Sequence, residues 1–304
     1  MFFEGDIKAL LDAMRLKKNC IETGRPDDGP RILFVGGGGV MYGCEGGGTV
    51  TALYESGYGE VFDWVFGLST SAPGVTYFLS GNPRVGTSVY YEECCSKEFL
   101  SPLRFHRPID TSYLDRVFKG ETGKGFNLNR VFSHRTELLV GVTNASTGKQ
   151  CIVRPRTNEE LHQALFASIS IPGFTGKPVI FRGREYTDGA MSHPLPLKQL
   201  IGKLNPTHVL VLPNRTSSLV GKPPWFETLA NNTVFRSRIS PVMRAMARKR
   251  SERLRASLRF AKEDASIPIV FAWSEGTVTK FERDSEKVKA AAFRAEEQWK
   301  ELLA

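Results

Sequence analysis

Residues 61–82 read VFDWVFGLSTSAPGVTYFLSGN. VFDWVF is an apolar run of strand length, and TSAPGVTYFLSGN predicts a helix that stops at Gly81. Between them, Gly67-Leu68-Ser69-Thr70-Ser71 forms the turn from strand to helix. Two readings of its serines stand at this level. Serine and threonine suit a helix N-cap, where the side chain accepts a free backbone N–H. The same five residues are also close to a G-x-S-x-G nucleophile elbow, with Ser71 in place of the second glycine.

Outward from this turn the pattern repeats. RILFVGGGG ends a short apolar run, Ile32 to Val35, in glycines, and GGTVTALYESGYG follows as a helix closed by Gly57 and Gly59. Further strands are predicted at TELLVGVTNA, KPVIF, THVLVLP and IPIVFAW, with helices at NEELHQALFAS and PLKQLIGKL. Strands alternating with helices imply an α/β fold with a mostly parallel sheet covered on both faces. Past Pro213 the texture changes to a loop-like NRTSSLVGKPPW, a basic stretch from Arg236 to Arg259 and a charged helix over 285–303.

The 304 residues carry a net charge of +9, which favours acidic partners: nucleic acid, an anionic membrane surface or an anionic substrate. No apolar run approaches the roughly 20 residues of a membrane-spanning helix. The N-terminus MFFEGDIKALLDAMRLKK carries Glu4 and Asp6 where a signal peptide is basic, and reads as an amphipathic helix. Cysteines at 20, 44, 94, 95 and 151 form no C-x-x-C pair, which suits a reducing cytoplasm rather than a disulfide or zinc framework.

The glycine run is tested first as a phosphate loop. G-x-G-x-x-G fails from Gly36, Gly37 and Gly38, because the third glycine is Met41, Tyr42 or absent. The P-loop pattern fails because Cys44, not lysine, follows Gly43. A third stretch, REYTDGAMSHPLP, sets Asp188 in a D-G-A turn, itself a common turn dipeptide.

Taken in order, GGGGVMYG, GLSTS and DGA resemble the patatin-like phospholipases, whose pattern is G-G-G-x-R/K-G, then G-x-S-x-G, then D-G-G/A. The resemblance extends to ELLVGVTNASTGK and ASISIPGFTGKPVIFRGREYTDGAMSHPLP. It implies a three-layer α/β/α fold, an acyl hydrolase domain over 30–213 and a basic helical extension over 214–304 packed on it. It implies Ser69 as nucleophile and Asp188 as its base, with no histidine, and an oxyanion hole from Gly37, Gly38, Gly39 and Thr70. The substrate would be a phospholipid or related lipid ester, and no metal or organic cofactor is implied. Three positions depart from the family pattern. Met41 or Tyr42 replaces the loop Arg or Lys, Ser71 replaces a glycine, and Gly36 stands where relatives often carry an acid. A catalytically silent lipid- or partner-binding protein on the same scaffold is therefore the alternative.

Other residues are weighed beside these. Ser71 is the nucleophile only if the register slips by two, and His193 or His208 would complete a Ser-Asp-His order. Cys94 and Cys95 read as packing beside Tyr90 and Tyr91. In the basic stretch Met243, Ala247, Leu254 and Leu258 share one helix face, while Arg244, Arg248, Arg255 and Arg259 line another. That basic face is either solvated or a docking face for an anionic membrane, giving a cytoplasmic protein with peripheral membrane attachment. Nucleic acid is not expected.

Overall fold

The structure is a computed structural model that describes residues 1–26, 29–101, 103–104, 107–219 and 240–304. Arg236, Arg238 and the NRTSSLVGKPPW stretch from Val220 onward lie outside the described residues.

Among the described residues nine strands form one sheet: β1 Phe2–Glu4, β2 Ile32–Gly36, β3 Trp64–Leu68, β4 Glu137–Asn144, β5 Gln150–Val153, β6 Val179–Phe181, β7 Arg184–Asp188, β8 His208–Leu212 and β9 Ile269–Trp273. Their order is β1-β9-β8-β2-β3-β4-β7-β6, with β5 also paired to β4. The centre, β9-β8-β2-β3-β4, is parallel throughout, and the margins β1, β5, β6 and β7 are antiparallel. The ten helices are α1 Ile7–Thr23, α2 Gly43–Leu53, α3 Ser71–Leu79, α4 Pro83–Ser88, α5 Thr111–Lys119, α6 Leu128–Ser133, α7 Asn158–Ser168, α8 Leu197–Leu204, α9 Pro241–Arg259 and α10 Ser285–Leu303 among the described residues.

Alternation along the strands explains the three layers, since successive side chains point to opposite faces. On β2, Ile32 and Phe34 enter one core with Leu10 of α1, Leu53 of α2, Phe78 of α3 and Trp299 of α10. Leu33 and Val35 enter the other with Leu200 of α8 and Leu254 of α9. The α/β/α expectation holds, with a parallel centre. The returns β4–β5 and β6–β7 are antiparallel because each is too brief for a helical crossover.

Two boundaries differ from expectation for identifiable reasons. β3 begins at Trp64, not Val61: Asp63 stands in a bend just before the strand, its N–H donating to the Ile32 carbonyl and its own carbonyl accepting from the Glu137 N–H, both at 2.9 Å. Its carboxylate accepts from Lys17 Nζ at 2.6 and 2.7 Å and from the Ile32 N–H at 2.7 Å. This nearly buried ion pair ties α1 to the start of β2. The N-terminus is a short strand before the helix, because Phe2–Glu4 pairs with β9 and Asp6 caps α1 through the Ala9 N–H. β9 lies beyond residue 213 yet pairs with β8 inside the sheet. Among the described residues no helix is long and apolar enough to cross a membrane.

Candidate active site

The parallel centre delivers the ends of β2 and β3 side by side, with Gly36 paired to Gly67. The chain leaves β3 through Ser69, whose φ is +53°, and enters α3 at Ser71. A non-glycine residue in this left-handed region costs about 1–2 kcal/mol, so the surroundings must hold it. They do. The Ser69 N–H donates to Ser168 Oγ at 2.9 Å, and that hydroxyl donates to the Gly141 carbonyl at 2.8 Å. The Ser69 carbonyl accepts from the Ala72 N–H at 3.1 Å. Gly67 must be glycine, because a Cβ there would lie 2.7 Å from the Ala72 Cα.

Asp188 closes β7, opposite Val142 of β4. Its carboxyl lies beside the Ser69 side chain, whose hydroxyl favours the charged form, and its Oδ1 accepts from the Ala190 N–H at 2.7 Å. Backbone contacts fix it: its N–H donates to the Ser170 carbonyl and its carbonyl accepts from Thr143 Oγ1, both at 2.8 Å. Burial raises the carboxyl's pKa above the usual aspartate range. The Ser69 hydroxyl, the Ala190 N–H and the charges of Arg250 and Lys280 pull the other way.

The glycine loop beside them divides into two parts. Gly37 does not fit the oxyanion role expected of it, because its N–H donates to the Leu212 carbonyl at 2.8 Å. It extends the β2–β8 ladder by one residue and has no donor to offer. Gly38, Gly39 and Thr70 have N–H groups with no hydrogen-bond partner among the described residues. Gly38 also borders Ser69: a Cβ there would lie 2.8 Å from the Ser69 Cβ. Thr70 is held by Oγ1 donating to the Val40 carbonyl at 3.0 Å and by the Tyr90 hydroxyl donating to its carbonyl at 2.9 Å.

Ser71 opens α3, and its side chain is occupied. Its Oγ donates to the Gly37 carbonyl at 2.5 Å and accepts from Asn214 Nδ2 at 2.7 Å, while that amide also donates to Gly37 at 2.7 Å. Ser71 is thus a brace for the glycine loop, and Ser69 alone of the two serines contacts Asp188 among the described residues. Ser168, Thr143, Tyr90 and Asn214 support the site without having been singled out from the sequence. They carry no spacing signal, and only ASISIPGF, which contains Ser168, hinted at one.

Ser69 opens onto an apolar cavity of about 610 Å³, its mouth included, walled by Met41, Pro73, Tyr77, Leu114, Phe118 and Ile171 among others. Cys94 lines the same cavity, and burial pushes its thiol pKa far up, so it packs rather than reacts. Burial likewise lifts the Cys95 thiol to about 11. Neither histidine side chain is hydrogen-bonded to Ser69 or Asp188 among the described residues. The Nδ1 of His193 is buried without a partner among the described residues, and that of His208 bonds Thr207 Oγ1 at 2.9 Å. On α9, Met243 and Leu254 are buried while Arg248, Arg255 and Arg259 are exposed. Arg244 is half-buried with partners of its own.

A family model described as patatin-like phospholipase matches residues 33–201, more than half of the chain. The chain is similar to uncharacterized protein YjjU of Escherichia coli (strain K12), at 24% identity over 209 residues. That match covers 67% of this chain and 58% of the relative, so the chain spans less than two thirds of the relative's length. Among solved structures, VipD from Legionella pneumophila aligns with 92% of this chain and 67% of its own, at a TM-score of 0.44 and 12% identity.

Proposed function

The chain belongs to the patatin-like phospholipase family, and on that premise we propose that it is a serine acyl hydrolase of lipid esters using a Ser69–Asp188 dyad. The observation that carries this reading is the buried Asp188 carboxyl placed beside a strained, buried Ser69 at the mouth of an apolar cavity. Ser69 Oγ attacks the ester carbonyl as Asp188 takes its proton, which needs base and hydroxyl in direct contact. The tetrahedral oxyanion receives the N–H groups of Gly38, Gly39 and Thr70, each such donor being worth about 3 kcal/mol. Asp188 returns the proton to the departing alcohol, and water then attacks the acyl-enzyme with Asp188 again as base. The apolar cavity takes the acyl chain. Exposed Arg248, Arg255 and Arg259 supply charge for docking on a lipid surface.

A silent binding protein is the second reading, favoured by Met41 and Tyr42 standing where the family carries Arg or Lys. One experiment separates them. Wild type hydrolyses a short-chain p-nitrophenyl ester, and Ser69→Ala loses about a thousandfold or more while keeping its circular dichroism spectrum. Ser71→Ala retains turnover within about tenfold, the loss expected for a missing hydrogen-bond brace. Turnover that survives Ser69→Ala, or none in wild type, defeats the hydrolase reading.

A further inference from the structure

A trans peptide unit is planar, so its carbonyl and its N–H point to opposite sides. The Gly37 carbonyl and the Gly38 N–H belong to one such unit. Whatever holds the first therefore aims the second. Two donors hold it, Ser71 Oγ at 2.5 Å and Asn214 Nδ2 at 2.7 Å. These donors are also tied to each other, since Asn214 Nδ2 donates to Ser71 Oγ at 2.7 Å. With the carbonyl turned toward the pair, the Gly38 N–H points away from it, and no group among the described residues accepts from that N–H. Ser69 lies against the same residue. A Cβ on Gly38 would come 3.3 Å from the Ser69 Oγ.

The backbone is shaped around this triangle of contacts. Both side chains are buried. Asn214 holds φ at +51°, in the left-handed region that asparagine visits more readily than most residues. Three glycines make room for the pair. A Cβ on Gly36 would lie 2.7 Å from the Ser71 Oγ, one on Gly46 would lie 2.6 Å from the Asn214 Oδ1, and one on Gly39 would lie 2.6 Å from the Asn214 carbonyl oxygen. Ser71 comes from α3 and Asn214 from the segment just after β8, so the pair joins two elements far apart in the chain.

We propose that Ser71 and Asn214 are positioning residues that act as one clamp on the Gly37–Gly38 peptide, aiming the Gly38 N–H at the oxyanion formed on Ser69. The proposal rests on the acyl hydrolase reading and adds to it the pair that sets its oxyanion hole. Reversed, the same peptide would present a carbonyl oxygen to the developing negative charge in place of a donor. The clamp also gives the serine at position 71 a function, because the glycine of the family pattern has no side-chain donor. Either donor alone still holds the Gly37 carbonyl. Loss of both is therefore worse than the two single losses combined.

The test is a double-mutant cycle of Ser71→Ala and Asn214→Gly on a short-chain p-nitrophenyl ester. Glycine is the truncation used at position 214 because it keeps the left-handed backbone without strain. Each single variant should keep kcat within about tenfold, while the double variant loses about a thousandfold, the size of a lost oxyanion donor. KM should stay within about threefold, because the oxyanion exists only in the transition state. Hexyl trifluoromethyl ketone, to which Ser69 Oγ adds to give a stable tetrahedral oxyanion, should bind the double variant about a hundredfold weaker or worse. A second route removes no atoms from the backbone's neighbourhood. Asn214→Asp keeps the side-chain shape and tolerates the same φ, but it offers only acceptors at neutral pH. It should draw the Ser71 hydroxyl off Gly37 and lose about a hundredfold in kcat by itself. Circular dichroism reports whether each variant is folded, and if the double variant is not, Asn214→Asp decides. Single losses that simply multiply, a loss carried by KM with the ketone unaffected, or Asn214→Asp within about tenfold of wild type each overturn the clamp while leaving the hydrolase reading intact. Wild type without Ser69-dependent turnover retires that reading, and the clamp's role with it.

Discussion

At the scale of single residues, two departures from the family pattern are one event. Gly36 lacks the side chain that relatives often have, and Ser71 has one where they have none. A Cβ on Gly36 would lie 2.5 Å from the Ser71 Cβ and 2.7 Å from its Oγ, so the serine fills the space the glycine leaves. Gly36→Ala should therefore cost about 2 kcal/mol by overpacking. In Gly36→Ala with Ser71→Gly the clash is gone, and the double variant should be more stable than the sum of the single losses by about 1 kcal/mol. Urea unfolding of the four proteins checks this, and additive losses would refute it. Asp188 gives a second residue-scale prediction. Its pKa is raised by burial, so the acid limb of kcat/KM should lie above the ordinary aspartate value of about 3.9. Because the charge of Arg250 lowers that pKa, Arg250→Gln should move the limb to still higher pH. A pH–rate profile of the two proteins on a neutral ester reads the shift. The stability sign runs the other way. A carboxyl with a raised folded pKa contributes stability at low pH that is lost as pH rises, so Asp188→Asn should lose turnover without losing stability at neutral pH.

At the scale of elements, α5 and α3 wall the cavity that Ser69 faces. Leu114 of α5 is buried at 7% exposure and borders this space, which makes it a place to shorten the cavity without touching the dyad. Leu114→Trp is expected to reduce kcat/KM for decanoyl esters about tenfold or more while leaving acetyl esters within a factor of about two, since each displaced methylene is worth 1–3 kcal/mol. Equal losses on both would mean the acyl chain lies elsewhere. Close helix packing fixes the other side of this layer. A Cβ on Gly48 would collide with the Ala292 carbonyl, which is how α2 and α10 approach and hold the glycine loop against the sheet.

At the scale of the whole molecule, the net charge of +9 acts on any anionic surface within reach. α9 presents Arg248, Arg255 and Arg259 to solvent, and basic residues near an anionic membrane contribute about 1 kcal/mol each. Sedimentation with phosphatidylglycerol vesicles should show binding that phosphatidylcholine vesicles do not, weakening steeply with salt because screening sets in beyond about 8 Å at physiological ionic strength. Arg248→Glu with Arg255→Glu should lower vesicle binding at least about tenfold and leave turnover of a soluble neutral ester unchanged. Equal binding by both proteins would leave these arginines as a solvated face.

The sequence by itself determined what depends on short spacing. Apolar runs of strand length marked the central strands, and glycines marked the ends of β2 and β3. α7, α9 and α10 fall on the stretches read as helical from the sequence, because helix periodicity is a local property. Ser69 and Asp188 were legible as the two candidates, through motifs whose order along the chain carries the information. What the tertiary structure decided is which groups meet. Nothing near Gly37 in sequence says that Leu212 will take its N–H, since that bond joins parallel strands far apart in the chain. Ser168 under Ser69 and Asn214 against the glycine loop are likewise long-range events. Parallel strands need crossovers, so neighbours in this sheet are set by the packing of whole layers, and pairwise contacts of that kind leave no period in the chain.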